Sequence, residues 1–358
     1  MPKIDFFYQY IVMKRIILKR HVFRDLWLKV LLSSLLFLSS CAEDFGEKDS
    51  PPFSQRIKIM NWNLQTFFDP IFDGNEYTEY KSGKSGWSQN KYEERLDRLV
   101  SVIKELDADI IVMEEIEKEA QLQDISNRLS GTFDFSQLYR HGLFARDKNS
   151  SIGCALLSRF PIGEISVHSL EIRSKRHQPA MRPVVQVSVH AKDKSLTLFI
   201  NHWKSKSGGE EESEIWRERQ ESQLAELMLK AARKNNALLA IGDFNKDISE
   251  FNLQFSARSE VSASSAKTNV ILRGKENIAV YSPWILENGS FSIPGSYWYK
   301  SQWERIDHFF AAGPVIIRDF CAENLGEWAD SEGHPERYQV WKGKGYSDHL
   351  PITCTVEF

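Results

Sequence analysis

The chain has 358 residues, 46 Lys+Arg against 49 Asp+Glu, 42% hydrophobic and 27% charged positions, and four cysteines. With 19 Gly and 12 Pro it has no low-complexity excess, which excludes a disordered chain, a collagen-like repeat, a coiled coil and a disulfide-stapled mini-protein. Residues 1–40 carry seven basic and two acidic side chains, so the other 318 hold 39 and 47, a net of −8; a polyanion must be captured locally on such a body.

The first element is an address and not part of the fold. Lys14, Arg15, Lys19, Arg20, Arg24 and Lys29 precede an apolar run from Val30 to Leu38, broken by Ser33 and Ser34. That run is far shorter than the roughly 20 helical residues needed to cross a bilayer. A basic region, a short apolar region and small residues before a cut site are the order of a secretory signal. Leu38-Ser39-Ser40-Cys41 resembles the bacterial lipobox, which implies lipidation of Cys41 after removal of residues 1–40. A plain signal peptide or a short core helix are the alternatives, and Met13 is a second candidate start. Residues 41–56 are acidic and contain Pro51-Pro52, suiting a tether to a domain over residues 57–358. The expected location is an exported, membrane-anchored lipoprotein facing the periplasm or the cell exterior. Cys154, Cys321 and Cys354 remain in the body, an odd number. Cys321 and Cys354 could pair in an oxidising compartment; buried free thiols are the favoured reading.

From Ile57 onward, strands and helices alternate. Ile57–Asn63 reads as a strand, and Tyr92–Leu106 as a helix with Leu96, Leu99, Val100, Ile103 and Leu106 on one stripe. Asp109–Met113 is a buried-type strand, and Leu122, Ile125 and Leu129 mark a short helix. Strand patterns follow at Cys154–Leu157, Val184–Val189, Leu196–Ile200 and Ala237–Ile241, with a helix from about Glu212 to Lys234 before the last. Further strands are expected at Ile306–Phe310, Val315–Phe320 and Ile352–Phe358, and Ser256–Thr268 reads as an exposed loop. No internal repeat is visible. The pattern predicts one α/β domain of packed layers.

Chemistry gathers where these strands end: Asn61-Trp62-Asn63, Met113-Glu114-Glu115, Asn201-His202-Trp203-Lys204, Gly242-Asp243-Phe244-Asn245, Asp307-His308 and Ser347-Asp348-His349-Leu350-Pro351. Strand C-termini are where open α/β folds build sites. Asp, Glu and Asn oxygens are ligands for Mg²⁺-type ions, and no His/Cys cluster suited to zinc is present. Each group alone is weak evidence. Asp-x-Asn is often a turn, Ser-Asp-His can cap a helix, and a Glu ending a strand is commonly solvated.

In this order NWNLQ, ADIIVMEE, NHWKSK, GDFN, RID and SDHLP resemble the endonuclease/exonuclease/phosphatase family, typified by DNase I and including abasic-site endonucleases, sphingomyelinases and inositol-polyphosphate phosphatases. NHWKSK and FFDPIFDGNEY are similar to a branch of exported bacterial nucleases. The resemblance covers Ile57 to Phe358 and implies a four-layer helix–sheet–sheet–helix sandwich with a site at one rim of the sheets. It implies Glu115 as the main metal ligand, with Asn63 and Asp348 nearby, for Mg²⁺ with Mn²⁺ or Ca²⁺ as alternatives. It further implies Asp243 as the group preparing the attacking water, Asn245 as a phosphate holder, and His349, oriented by Asp307, as the imidazole on the phosphate. His202 matches a second imidazole. Glu114 stands where the family usually has Gln; strand alternation turns it away from Glu115, so it reads as structural.

One departure matters. DNase I-like members place a Glu before the strand at Cys154–Leu157 to partner the second His, and Asn149-Ser150-Ser151-Ile152-Gly153 has no acid. His202 is therefore expected to bind phosphate without acid–base work, with charge from Lys204 and Lys206 or with those lysines in a solvated turn. Substrate is the open choice. Interleaved aromatic and basic residues at Phe67–Asn90 (Tyr77, Tyr80, Lys81, Lys84, Trp87) and Gly295–Arg305 (Tyr297, Trp298, Tyr299, Lys300, Trp303) suit unpaired bases, a choline headgroup, or core packing. A nuclease is the leading expectation. A lipid or small-molecule phosphodiesterase and a non-enzymatic surface lipoprotein are the alternatives, and no obligate protein partner is expected.

Overall fold

Twenty elements run along the chain in a computed structural model that describes residues 55–358, except 82, 84, 132, 172–177, 235 and 256–267. In chain order they are β1 (Arg56–Phe67), α1 (Thr78–Lys81), α2 (Gln89–Leu106), β2 (Ile110–Ile116), α3 (Ala120–Ser130), β3 (His141–Ala145), β4 (Gly153–Ser158), β5 (Ile162–His168), β6 (Val184–Ala191) and β7 (Lys194–His202). There follow α4 (Glu210–Ala232), β8 (Ala237–Asp243), β9 (Asn252–Phe255), β10 (Thr268–Leu272), β11 (Ile278–Val280), β12 (Tyr297–Tyr299), β13 (Gln302–Glu304), β14 (Asp307–Ala312), β15 (Ile316–Ala322) and β16 (Ile352–Glu357). The signal, Cys41 and nearly all of the tether lie outside the described residues, as does most of the expected loop at 256–268. No helix among the described residues is long and apolar enough to cross a membrane.

Two sheets carry the architecture. One has the order β15-β16-β1-β2-β4-β3 and the other β14-β8-β7-β6-β5. Period-2 burial explains how they meet. Ile57, Ile59, Ile110, Val112 and Leu156 of the first sheet share a core with Val187, Leu198, Ile200, Leu239, Ile241 and Phe309 of the second. The alternate residues Met60, Trp62, Ile111 and Met113 point outward and pack under Leu96, Leu99 and Ile103 of α2 and Leu122 and Ile125 of α3. Ser88 caps α2, accepting from Lys91 N–H at 3.5 Å, and Asp107 in the left-handed region (φ 43°) ends it. Leu224, Ala225 and Met228 of α4 cover the other sheet. The expected four layers are present.

Cys321 stands opposite Thr353 across the β15–β16 pair, which sends Cys354 to the other face; Cys154, Cys321 and Cys354 are all free thiols. Of the three readings open for the aromatics at 67–90, Tyr80 and Trp87 take core packing: they sit with Phe68, Tyr338 and Val340 in a small core of their own.

Strand direction builds the rim. β1 and β2 are parallel neighbours, as are β7 and β8, so their C-terminal ends emerge together. β14 runs antiparallel to β8 with Asp307 opposite Asp243, so it begins at the rim where β8 ends. Gly242 makes the close pairing possible: its φ is 138°, and a Cβ there would lie 1.9 Å from the Asn201 carbonyl oxygen.

Candidate active site

Asp307 and His349, 42 positions apart, meet at the rim with His349 Nδ1 2.8 Å from Asp307 Oδ2. Both side chains are buried, at 7% and 1% exposed. The loop before β16 is pinned for this contact: Trp62 Nε1–H donates to the His349 carbonyl at 2.9 Å, and Ser347 Oγ–H to the Asn63 carbonyl at 2.6 Å. Burial opposes a charge on His349, but the Asp307 charge and hydrogen bond, aided by Asp243 and Asp348, outweigh it. The imidazole is held protonated well above its usual range.

Asp243 is gripped from three sides. Asn63 Nδ2 donates to its Oδ2 at 2.9 Å, Asn245 Nδ2 at 3.0 Å, and the Asn245 backbone N–H donates to Oδ1 at 2.7 Å. Burial and the neighbouring Asp307 charge push its pKa up to about 7, against the pull of His349 and these donors. Asn245, in the left-handed region at φ 47°, also donates to the Trp203 carbonyl at 3.2 Å, so its amide orients the carboxylate. His202 Nε2 lies 3.5 Å from Asp243 Oδ2 and 3.8 Å from Glu115 Oε1. Burial, then the Arg182 charge, keeps this imidazole neutral, well below its usual pKa. Its Nδ1 is buried without a hydrogen-bond partner among the described residues, where DNase I-like members supply a Glu.

Strand alternation fails at the second motif. The β2–β4 register shifts between Glu114 and Ile116, and Glu115 takes φ 64°, so a bulge swings its carboxylate toward the site. Glu115 Oε2 accepts from Thr66 N–H at 2.6 Å, and Oε1 lies 3.5 Å from Asn63 Nδ2. Glu114 does not face away as expected. It stays on the inter-sheet face with Val112 and its β4 partner Cys154, fully buried, and neither oxygen has a partner among the described residues. Burial, then the charges of Asp307 and Asp243, drive its pKa well up. Its carboxyl therefore lies beneath the same two aspartates, and a neutral acid there approximates the Gln usual in the family.

The irregular end of β1 that brings Thr66 to Glu115 has its own clamp. Arg95 on α2, 2% exposed, donates to the carbonyls of Leu64, Gln65 and Thr66 at 2.5, 2.7 and 3.1 Å. Gln65 and Thr66 both have positive φ, 51° and 54°, and the guanidinium stabilises carbonyls that a strand partner no longer pairs.

The remaining candidates are placed differently. Asp348 is half-buried, 3.9 Å from Arg337 Nε; burial raises the pKa of Glu115, and the Asp348 charge adds to that rise. Asn63 Oδ1 accepts from Gln65 N–H at 2.9 Å, so Asn63 presents its amide N–H to the two carboxylates. Lys204 turns its ammonium to the carbonyls of Ser205 and Ser207, and Lys206 pairs with Glu250 at 2.8 Å. The cation that does reach the centre is Arg182, which the sequence reading missed. It donates to the Trp203 carbonyl at 3.3 Å, and its charge acts on Glu115, His202 and Tyr77. A signal existed. β6 and β7 are joined by a two-residue turn, so Arg182, two positions before β6, must lie beside the end of β7.

Asp243, Asp307 and His349 offer ligand atoms all within 4.8 Å of one another. A protonated imidazole is a poor metal ligand, so Glu115 with Asp348 is the better seat for a cation. These two carboxylates repel each other, have part-exposed side chains and stand with Asp243 and Asp307 against Arg182 and His349. Such an oxygen-rich surplus of negative charge fits a hard divalent ion.

A family model described as the Endonuclease/Exonuclease/phosphatase family matches residues 58–357. No curated protein sequence matches the chain. Among solved structures it is similar to truncated Caenorhabditis elegans TDP2, at 14% identity and TM-score 0.53, over 85% of this chain and 98% of that one. It is also similar to the human Nocturnin catalytic domain with bound sulfate anion, at 16% identity and TM-score 0.53, over 84% and 94% of the two chains. Humanized D. rerio TDP2 gives 15% identity and TM-score 0.52 over 85% and 100%. At such identities the likeness is one of fold. With the family model spanning both sheets and every motif of the rim, the chain belongs to the endonuclease/exonuclease/phosphatase family, hydrolases of phosphoester bonds.

Proposed function

We propose that this protein is a Mg²⁺-dependent phosphodiesterase that cuts nucleic acid by direct attack of water. The observation that carries the reading is the buried Asp307–His349 pair set beside Asp243, which Asn63 links to Glu115. A phosphodiester repels nucleophiles, and its transition state gathers charge on the nonbridging and leaving oxygens. Asp243, with a pKa near neutrality and both oxygens oriented by amides, is suited to take the proton of the attacking water. His349 donates Nε2–H to a phosphoryl oxygen while Asp307 fixes its tautomer and charge. Neutral His202 and cationic Arg182 face the same oxygens. Glu115 and Asp348 would hold the divalent ion, Mg²⁺ or alternatively Mn²⁺ or Ca²⁺, which supplies neutralisation of the leaving oxygen when bound.

Nucleic acid is favoured because Tyr297 lies against His349, Tyr299 and exposed Lys300 follow it outward, and exposed Arg337 stands by Asp348, all on an otherwise acidic body. Residues 1–40 would be removed and Cys41 lipidated, with residues 41–56 tethering the domain at 57–358 to an exported membrane face. The test is a panel of plasmid DNA, single-stranded DNA, RNA, sphingomyelin vesicles and inositol phosphates, with and without Mg²⁺. Nucleic-acid cleavage that EDTA abolishes is expected. Rapid sphingomyelin hydrolysis with intact plasmid in the same tube would overturn the substrate assignment.

A further inference from the structure

The β12–β13 hairpin sorts its aromatic residues by face. Trp298 points to the protein body, where it lies 5.0 Å from Trp303 and stacks on His334 at 4.0 Å and 22°. Its neighbours Tyr297 and Tyr299 point the other way, as strand alternation requires. Tyr297 bridges His349 through the backbone, with its ring 4.8 Å from the imidazole. Tyr299 is the next ring outward, stacked on Tyr297 at 6.1 Å and 24°, and is 49% exposed. A ladder of rings therefore leads from the imidazole to solvent.

The turn closing the hairpin is strained. Lys300 and Ser301 have φ of 47° and 61°, values that a two-residue hairpin turn usually assigns to Asn and Gly. What Lys300 provides and Gly could not is an ammonium, placed 5.1 Å from the Tyr299 ring. Arg337, 69% exposed, flanks the ladder at its Asp348 end.

We infer that Tyr297 and Tyr299 form the stacking platform for an unpaired base next to the scissile phosphate, with Lys300 taking the adjoining phosphate. The inference rests on the nucleic-acid reading and narrows it to strands unpaired at this point. Near-parallel rings present a flat face, which a nucleobase matches. A choline headgroup needs rings set around it and would be repelled by Lys300 and Arg337. Base-paired nucleotides have both faces already stacked and leave the platform unused.

The experiment uses the full-length protein and Tyr299→Ala, Tyr299→Phe and Lys300→Ala variants, with a single-stranded oligonucleotide carrying 2-aminopurine and the same sequence as a duplex. Stacking on an aromatic side chain is worth about 1–3 kcal/mol per base. Tyr299→Ala should therefore raise KM for the single strand about tenfold while changing kcat less than twofold. Tyr299→Phe should restore KM, and an Asp243→Asn protein, which binds the strand without cutting it, should quench 2-aminopurine where the Asp243→Asn, Tyr299→Ala double variant does not. Lys300→Ala should raise KM less, and salt should erase its effect. Cleavage of both strand forms with equal KM, or an unchanged KM in Tyr299→Ala, would overturn the platform while leaving the nuclease reading intact. Failure of wild-type protein to cleave any nucleic acid, with other phosphodiesters hydrolysed, would overturn both.

Discussion

Replacing Asp307 by Asn keeps the shape of the side chain and removes the charge that meets His349 Nδ1 at 2.8 Å. Two unit charges about 4 Å apart interact by roughly 4 kcal/mol at the effective dielectric of a protein site. Burial alone disfavours the charged imidazole, so without the Asp307 charge and hydrogen bond its pKa drops from well above its usual range. At pH 8 Asp307→Asn should thus hold a neutral His349, and kcat should fall about 10²–10³-fold, as for loss of one oxyanion donor. Because acid restores the charge, the deficit should shrink toward pH 6. His349→Ala should show the full loss at every pH, and at pH 8 the double variant should lose little more than either single change. Stability gives an independent sign. The folded pKa of His349 is raised, so its contribution is complete below the unfolded value near 6.5 and fades as pH climbs through the folded value. The difference in melting temperature between wild type and Asp307→Asn should accordingly be largest in mild acid and narrow in alkali. Single-turnover rates from pH 5.5 to 9, with thermal melts at each pH, test both. Strictly additive kinetic losses, or a deficit that does not move with pH, would refute the unit.

Glu115→Gln should raise the Mg²⁺ concentration needed for half-maximal activity at least tenfold, and isothermal titration should show weaker binding of the metal alone. Arg182→Lys should not rescue Arg182→Ala, since a point charge cannot replace the planar fork beside Glu115 and His202; KM should rise about tenfold in both. His308, buried with Nε2 2.8 Å from the Lys246 carbonyl, is driven down to about 4 by burial. Its unfolded form takes up a proton below about pH 6.5 while the folded form does not until about pH 4, so stability should fall by about 2 kcal/mol from pH 7 to 4.5, and His308→Gln should flatten that part of the urea-melt profile. Mass spectrometry of the mature protein should find diacylglycerol on Cys41 and no residues 1–40, and Cys41→Ala should leave the detergent phase.

Local pattern made most of the framework legible. The α2 stripe, the apolar strands and the polar residues ending them were readable because helix and strand periods show in sequence and turn chemistry is local. Ordered motifs likewise assigned Glu115, Asp243, Asn245, Asp307, Asp348 and His349 to one family. Three things were decided only by the tertiary structure. The bulge at Glu115 put Glu114 and Glu115 on the same side, which a period of two forbids and a single residue at φ 64° allows. Arg182 reached the centre, and Lys204 turned to its own loop, because the antiparallel β6–β7 pair sets one strand's start beside the other's end. Tyr297 and Tyr299 separated from Trp298 and Trp303 because a hairpin presents alternate faces to the body and to solvent. Sequence determines which groups exist and the period on which they are carried. Which of them share a few ångströms of low-dielectric space depends on register, bulges and strand direction, and these are fixed by packing between residues far apart in the chain.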